Sequence, residues 1–183
     1  MYFEGSGPAN TDLCLETAFN EAKKRGIKYI VLASTWGDTA KKAAQMIKDT
    51  GINLVVVTHN AGFKQPGIQE FDEELRRQLT EQGVKIHTGS MVTRNLGRAI
   101  KDKTGFSQED ICCFSWKMFG QGTKVCLEIT AMACDAGLIP PEDVIAVAGS
   151  GKGADTALLI NAASSNSMFD MKIREVLAKP YDW

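Results

Sequence analysis

"VIAVAGSGKGADTAL", residues 144–158, runs from an apolar stretch through a corner holding three glycines into a segment rich in Ala and Leu. Such a run reads as a buried strand, a tight turn and a helix spanning 154–162. The turn is either a phosphate cradle or only a corner. A Walker A loop requires G-x-x-x-x-G-K-[ST], but Ala146 stands five before Gly151 and Gly153 follows Lys152, so the pattern fails twice. Gly149, Gly151 and Ala154 do fit G-x-G-x-x-A, yet too little chain follows to build the rest of a dinucleotide-binding half.

Working outward, strands and helices alternate. Asn10 or Thr11 caps a helix with Leu15, Ala18, Phe19 and Ala22 at i, i+3, i+4, i+7 spacing, ended by Gly26. "IKYIVLA" (27–33) is a buried strand, "GDTAKKAAQMIKD" a helix closed by Gly51, and "NLVVVT" (53–58) a second buried strand. "QEFDEELRRQLTEQG" is a helix with acidic residues in its first turn and Gly83 at its end, and "VKIHT" a shorter third strand. "RNLGRAIKDKTG" reads as helical, whereas "DICCFSWKMF" fits no pattern cleanly. "TKVCLEITAMACDAG" is a strong helix with Val125, Ile129, Met132, Ala133 and Ala136 on one side, and "DVIAVAG" is the fourth strand. "MKIREVLAK" alternates like an edge strand. The long connection from Thr88 to Asp143 lets the fourth strand return beside the first, giving a 3-2-1-4 order in an α/β sandwich with a crevice between strands one and four.

Bulk composition narrows the partners. At 183 residues, 44% hydrophobic and 23% charged, the chain is expected to be one domain with a full core. Twenty-one Lys and Arg against 22 Asp and Glu provide no overall field for nucleic acid or an anionic membrane. Five cysteines without C-x-x-C, mostly in apolar runs, read as reduced, buried thiols, and two histidines make a zinc site unfavourable. No apolar run approaches the ~18 residues of a membrane span and no signal-peptide pattern opens the chain, so a cytoplasmic location is expected.

In the inferred order the loop "ASTWGDTA" after strand one and the loop "AGSGKGADTA" after strand four are neighbours, each read as ending at a helix N-terminus that favours anions. Ser34, Thr35, Thr39 and Ser150 add hydroxyls, and Gly37, Gly149, Gly151 and Gly153 let the backbone approach a ligand. "MFGQGTK" brings Gly120, Gln121, Gly122 and Lys124 to the same edge, and "THNAGF" brings His59 and Asn60. Trp36 and Lys152 complete the candidate set. His59 is a candidate base and Asp155 an acid or base, the alternative for Asp155 being bonds to loop N–H groups near a helix start. No catalytic constellation is evident. Glu128 and Asp135, seven apart on one helical stripe, read as surface charge.

"IVLASTWGDTAKKAAQMI" together with "VIAVAGSGKGADTALLI" resembles the C-terminal α/β domain of pyruvate kinase, and with "VVVTHNAGFKQPGIQEFDEE", "MFGQGTKVCLEI" and "GKGADTAL" the whole chain resembles stand-alone relatives of that domain. The resemblance implies a three-layer α/β/α sandwich around a mixed five-strand sheet of order 3-2-1-4-5, its last strand antiparallel. It does not imply pyruvate kinase activity, because that enzyme's catalytic residues lie in a separate barrel domain. The enzyme's regulatory sugar phosphate sits in a loop like Ser34 to Thr39, but here Trp36 replaces a small hydroxyl residue and Asp38 a basic one, which disfavours a second phosphate. The stand-alone relatives are associated with flavin mononucleotide (FMN), whose single phosphate and planar ring suit Trp36. The expected function is therefore binding of a phosphorylated small molecule such as FMN. The alternatives are a flavin-dependent oxidoreductase, a phosphotransfer or hydrolytic enzyme, or an assembly module, since the corresponding pyruvate kinase domain contributes to subunit interfaces and implies a homo-oligomer.

Overall fold

A computed structural model describes all residues, 1–183. The near-continuous apolar runs form the central parallel strands β2 (Tyr29–Ala33), β3 (Asn53–Val57), β4 (Lys85–His87) and β5 (Asp143–Ala148), adjacent in the order β4-β3-β2-β5. Helices α1 (Thr11–Arg25), α2 (Asp38–Ile47) and α3 (Glu73–Glu81) precede and separate the first three of these. The connection between β4 and β5 carries α4 (Asn95–Thr104), α5 (Gln108–Lys117) and α6 (Gln121–Asp135). The segment 108–117 that fits no pattern in sequence is thus a helix, started by Ser107, whose hydroxyl accepts a hydrogen bond from the Asp110 N–H at 3.3 Å.

Beyond β5 the expectation fails. The sheet has seven strands in the order β1-β7-β6-β5-β2-β3-β4, with β1 spanning Tyr2–Gly5, β6 Thr156–Asn161 and β7 Lys172–Asp182. The five-strand order 3-2-1-4-5 is therefore overturned, and the segment expected as a helix over 154–162 is β6, antiparallel to both β5 and β7. The physical reason is burial on two sides. Ala157 and Leu159 join the core beneath α1, while Leu158 and Ile160 join the core beneath α6. A strand wetted on neither face shows no alternation, so its apolar run cannot be told from a buried helix by period alone. The alternating "MKIREVLAK" forms the first part of β7 and is an edge strand up to Lys179, where β1 begins to pair. From there to Asp182 β1 pairs parallel to β7, matching Tyr2 with Lys179 and Phe3 with Pro180, so along the end of β7 the four-residue β1 becomes the edge.

Three layers result. The larger core, with Leu15, Phe19, Ile30, Leu32, Leu54 and Phe71, fills the space between the sheet and helices α1 to α3. On the opposite face α6 lies along the sheet and packs Ile129 and Met132 against Val31, Val55 and Val144, and Cys126 and Leu127 against Ala146 and Leu158. All five cysteines are free, with Cys14, Cys113 and Cys126 buried and Cys112 and Cys134 half-buried. Burial pushes the Cys14 thiol up to about 12, aided by the nearby Asp155 carboxylate. No helix is long and apolar enough to cross a membrane.

Candidate functional site

Since α2 and α6 lie on opposite faces, the carboxyl ends of β2 and β5 open into a crevice, the position at which open α/β sheets bind ligands. A cleft of about 700 Å³ occupies it. One wall is the turn between β2 and α2, where the N-cap residue Gly37 adopts φ 110° and offers no side-chain acceptor of its own. A Cβ on Gly37 would lie 2.4 Å from Leu75 Cδ2 and force that side chain aside, and φ 110° itself favours glycine at this turn against α3. The amide N–H groups of Trp36, Gly37, Asp38 and Thr39 have no partner within the chain, whereas Ala40 N–H donates to the Ser34 hydroxyl at 3.3 Å.

The glycine corner forms a second wall, but not as a helix start. It reverses the chain from β5 into antiparallel β6, closed by the Asp155 N–H donating to the Ala148 carbonyl at 3.0 Å. The fully buried Asp155 carboxylate holds the corner by accepting from the N–H groups of Gly7 and Ser150, each at 3.1 Å, and from the Thr156 hydroxyl at 2.9 Å. Its role is to bind loop N–H groups, at a strand reversal rather than at a helix start. A Cβ on Gly149 would meet the Gly153 carbonyl oxygen at 2.3 Å, and one on Gly153 would meet Thr11 Oγ1 at 2.4 Å. The corner is therefore a structural turn whose outer edge, Gly149, Gly151, Lys152 and Gly153, also lines the cleft, beside Pro8 and Thr11.

The remaining walls come from the start of α6 and from the loops after β3 and β4. Gly120 caps α6 at φ 120° with no side-chain cap, and Gln121 and Lys124 reach the cleft from its first turns. Lys124 is buried, and Glu128 is not surface charge. Glu128 is 1% exposed, accepts from Lys124 Nζ at 2.5 Å and the Thr93 N–H at 3.0 Å, and is also bonded by the Thr93 hydroxyl. This cluster fastens the loop before α4 to α6 and fixes the position of Arg94 beside it.

After β3, His59 Nδ1 lies 2.8 Å from Glu70 Oε2 and Nε2 lies 3.4 Å from Thr35 Oγ1. Its ring stacks on Phe63 at 3.8 Å, and the Arg94 guanidinium lies 4.5 Å from the Phe63 ring centre. Burial raises the Glu70 carboxyl, but hydrogen bonds from His59 and Lys64 outweigh that and hold it below its ordinary value.

Of the residues singled out in sequence, Ser34, Thr35, Trp36, Thr39, His59, Gln121, Lys124, Gly149, Gly151, Lys152 and Gly153 line the cleft. Gly37 and Gly120 shape helix starts behind it. Gly122 lies against β6, where a Cβ would sit 2.1 Å from Thr156 Oγ1, and Ser150 is held by Asp155. The Asn60 amide turns back to the Ala61 carbonyl at 2.8 Å. The reading missed the basic residues of the α4 to α5 region. Arg94, Arg98, Lys101 and Lys117 all face the cleft, which with Lys42, Lys124 and Lys152 holds seven basic side chains against Asp38, Asp110 and Glu128. Lys42, Arg98, Lys101 and Lys124 have carboxylate partners, whereas Arg94, Lys117 and Lys152 have none. The signal was the basic run "RNLGRAIKDK", visible as charge but not assignable to a face without the tertiary structure.

No family model matches the chain. Its structural neighbours are pyruvate kinases. A crystal structure of a pyruvate kinase from Cryptosporidium parvum aligns at 16% identity and TM-score 0.45, over 83% of this chain and 22% of that one. A Cryptosporidium parvum pyruvate kinase in complex with ADP aligns at 17% identity and TM-score 0.42, over 81% and 22%. The chain thus spans about a fifth of the length of the enzymes it resembles.

Proposed function

We propose that the cleft binds a phosphorylated small molecule with a planar ring, FMN or a related nucleotide, in a carrier or sensor role within a pyruvate-kinase C-terminal-like α/β domain. The observation that carries this reading is local charge. A chain of net charge −1 concentrates seven basic against three acidic side chains around one cleft. Three of those cations lack a carboxylate partner, and the uncapped starts of α2 and α6 add free amides. The volume suits a mononucleotide, since small-molecule sites typically span about 300–1,000 Å³. Trp36, 38% exposed at the rim, offers a stacking face, and Lys64 Nζ and Lys152 Nζ lie 4.9 Å and 5.9 Å from its ring centre.

Three charge-assisted hydrogen bonds at about 1.5–3 kcal/mol each, less the entropy of association, support an affinity near micromolar, about 8 kcal/mol. The test is the visible spectrum of freshly purified protein and the mass of any molecule released on denaturation, followed by titration with FMN and with riboflavin. Micromolar FMN binding with much weaker riboflavin binding is expected. Equal affinity for the two would remove the phosphate from the reading, and no binding of either would remove the flavin.

A further inference from the structure

At the rim of the cleft a hydroxyl and an imidazole are backed by a carboxylate. The Nδ1 of His59 faces Glu70 Oε2 at 2.8 Å, and a carboxylate there only accepts, so Nδ1 carries the proton. That tautomer leaves the Nε2 lone pair toward Thr35 Oγ1, 3.4 Å away, and the Thr35 hydroxyl has no other partner in the chain. Thr35 and His59 are half-buried and both line the cleft, while the Glu70 side chain is 8% exposed. Thr35 also stands between the end of β2 and the start of α2, a strand-to-helix turn that presents a side chain at a sheet edge. The amides that follow it, Trp36 and Gly37, are without partners.

We propose that Thr35, His59 and Glu70 form a nucleophile, general base and positioning carboxylate for hydrolysis of a carboxylic ester whose alcohol portion carries a phosphate. Only the phosphate on that alcohol rests on the anion-binding reading of the cleft. In the first half-reaction His59 Nε2 takes the Thr35 proton as Oγ1 bonds to the ester carbonyl carbon. The oxyanion is received by the free amides after Thr35. The intermediate collapses, the carbon–oxygen bond to the alcohol breaks, and the alcohol leaves with the proton from Nε2. Water then gives a proton to Nε2 while its oxygen attacks the acyl-Thr35 carbonyl. Thr35 Oγ1 departs and regains that proton, and a carboxylic acid is released. No oxidant, reductant or metal enters the balance. The 3.4 Å separation is that of an unliganded site, in which such contacts are longer than in the reacting complex.

The test is p-nitrophenyl acetate with the intact protein, reading p-nitrophenolate release and the protein's mass, then mapping any acetyl group by peptide analysis. A burst with acetyl on Thr35 is expected. T35S should keep it, whereas T35A and H59Q should each reduce acylation by at least about a thousandfold with unchanged circular dichroism. E70Q should lower kcat on the order of a hundredfold while KM stays within about twofold, with part of kcat restored in E70D. No burst and no turnover above buffer in the parent, or acetylation at another residue that persists in T35A, would overturn the proposal. An ester-inactive protein that binds FMN defeats this inference alone. An active protein that binds no phosphorylated compound defeats the phosphate reading and leaves the array standing.

Discussion

Replacing Glu128 by Ala tests whether the floor of the cleft is held by one buried carboxylate. Glu128 and Lys124 pair at 2.5 Å with side-chain exposures of 2% and 8%, so solvent screens the pair little. Deleting the carboxylate strands a buried ammonium and leaves the Thr93 N–H, itself in a buried residue, without its 3.0 Å acceptor. Breaking such a pair costs about 3–5 kcal/mol, and water from the adjoining cleft can recover some of the lost N–H bond, so the total is kept in that range. Against a domain stability of about 5–15 kcal/mol this is a large fraction, equivalent to a melting-temperature fall of about 6–20 °C for a chain of this size. Removing both charges with Lys124→Met and Glu128→Leu should recover most of it, because desolvating two ions offsets their attraction. Urea unfolding followed by circular dichroism measures both variants. An E128A protein within about 1 kcal/mol of the parent, or a double variant no better than E128A, would refute the argument.

The unpaired cations give a contrasting expectation for ligand affinity. R94A and K152A should each weaken FMN binding by about tenfold or more and flatten its salt dependence, while K124M, whose charge is already matched by Glu128, should change it less; fluorescence titration at two salt concentrations decides. Gly37→Ala places a Cβ 2.4 Å from Leu75 Cδ2 at φ 110°, so a loss of about 1–3 kcal/mol is expected in thermal unfolding. Unchanged stability would show that α3 yields freely. Glu70 titrates below its ordinary 4.5 in the fold, so between that folded value and 4.5 the unfolded chain binds more protons. Its stabilisation is complete above about pH 4.5 and fades as pH falls through the folded value. E70Q should therefore flatten the acid limb of the stability profile, and superimposable limbs would contradict the pairing.

The parallel strands β2, β3 and β5 were legible in sequence because each is a short apolar run, and Gly26, Gly51 and Gly83 mark the breaks between helix and strand, although only Gly26 caps its helix and α2 already ends at Ile47. The segment 154–162 was not legible, since Thr156 to Ile160 is buried on both faces and carries no period. The four-residue β1 lies below the length at which alternation can be counted. Within the site, the hydroxyls and glycines of residues 34–39 could be read from their place between a strand and a helix. Arg94 and Lys117 could not, because a basic residue just before α4 or at the end of α5 looks like solvated charge until the partner surface is known. Glu128 failed for the converse reason. Its i, i+4 lysine resembles a surface ion pair, and only the Thr93 loop folding over it makes it buried.

The same reversal that defeated the helix assignment explains why the cleft stays open. In a repeated strand and helix pattern the segment after β5 would cross the sheet and place another helix beside the β2 edge. Here the chain turns back at once, pinned by Asp155, so the edge beyond β5 carries only the 149–153 corner and the N-terminal residues Pro8 and Thr11. Helix α2 leaves β2 on one face and α6 approaches β5 on the other, so both helix starts face the gap without filling it. Two positive helix ends and the unpaired cations Arg94, Lys117 and Lys152 around one crevice repel one another unless an anion or solvent sits between them. The charge arrangement therefore predicts that phosphate-bearing ligands raise stability with the logarithm of their concentration above Kd, by about 2.7 kcal/mol at a hundredfold excess. Sulfate and FMN added to a thermal-unfolding series should both raise the melting temperature, FMN at far lower concentration. If sodium chloride at matched ionic strength raised it equally, general screening rather than a built anion site would account for the charge.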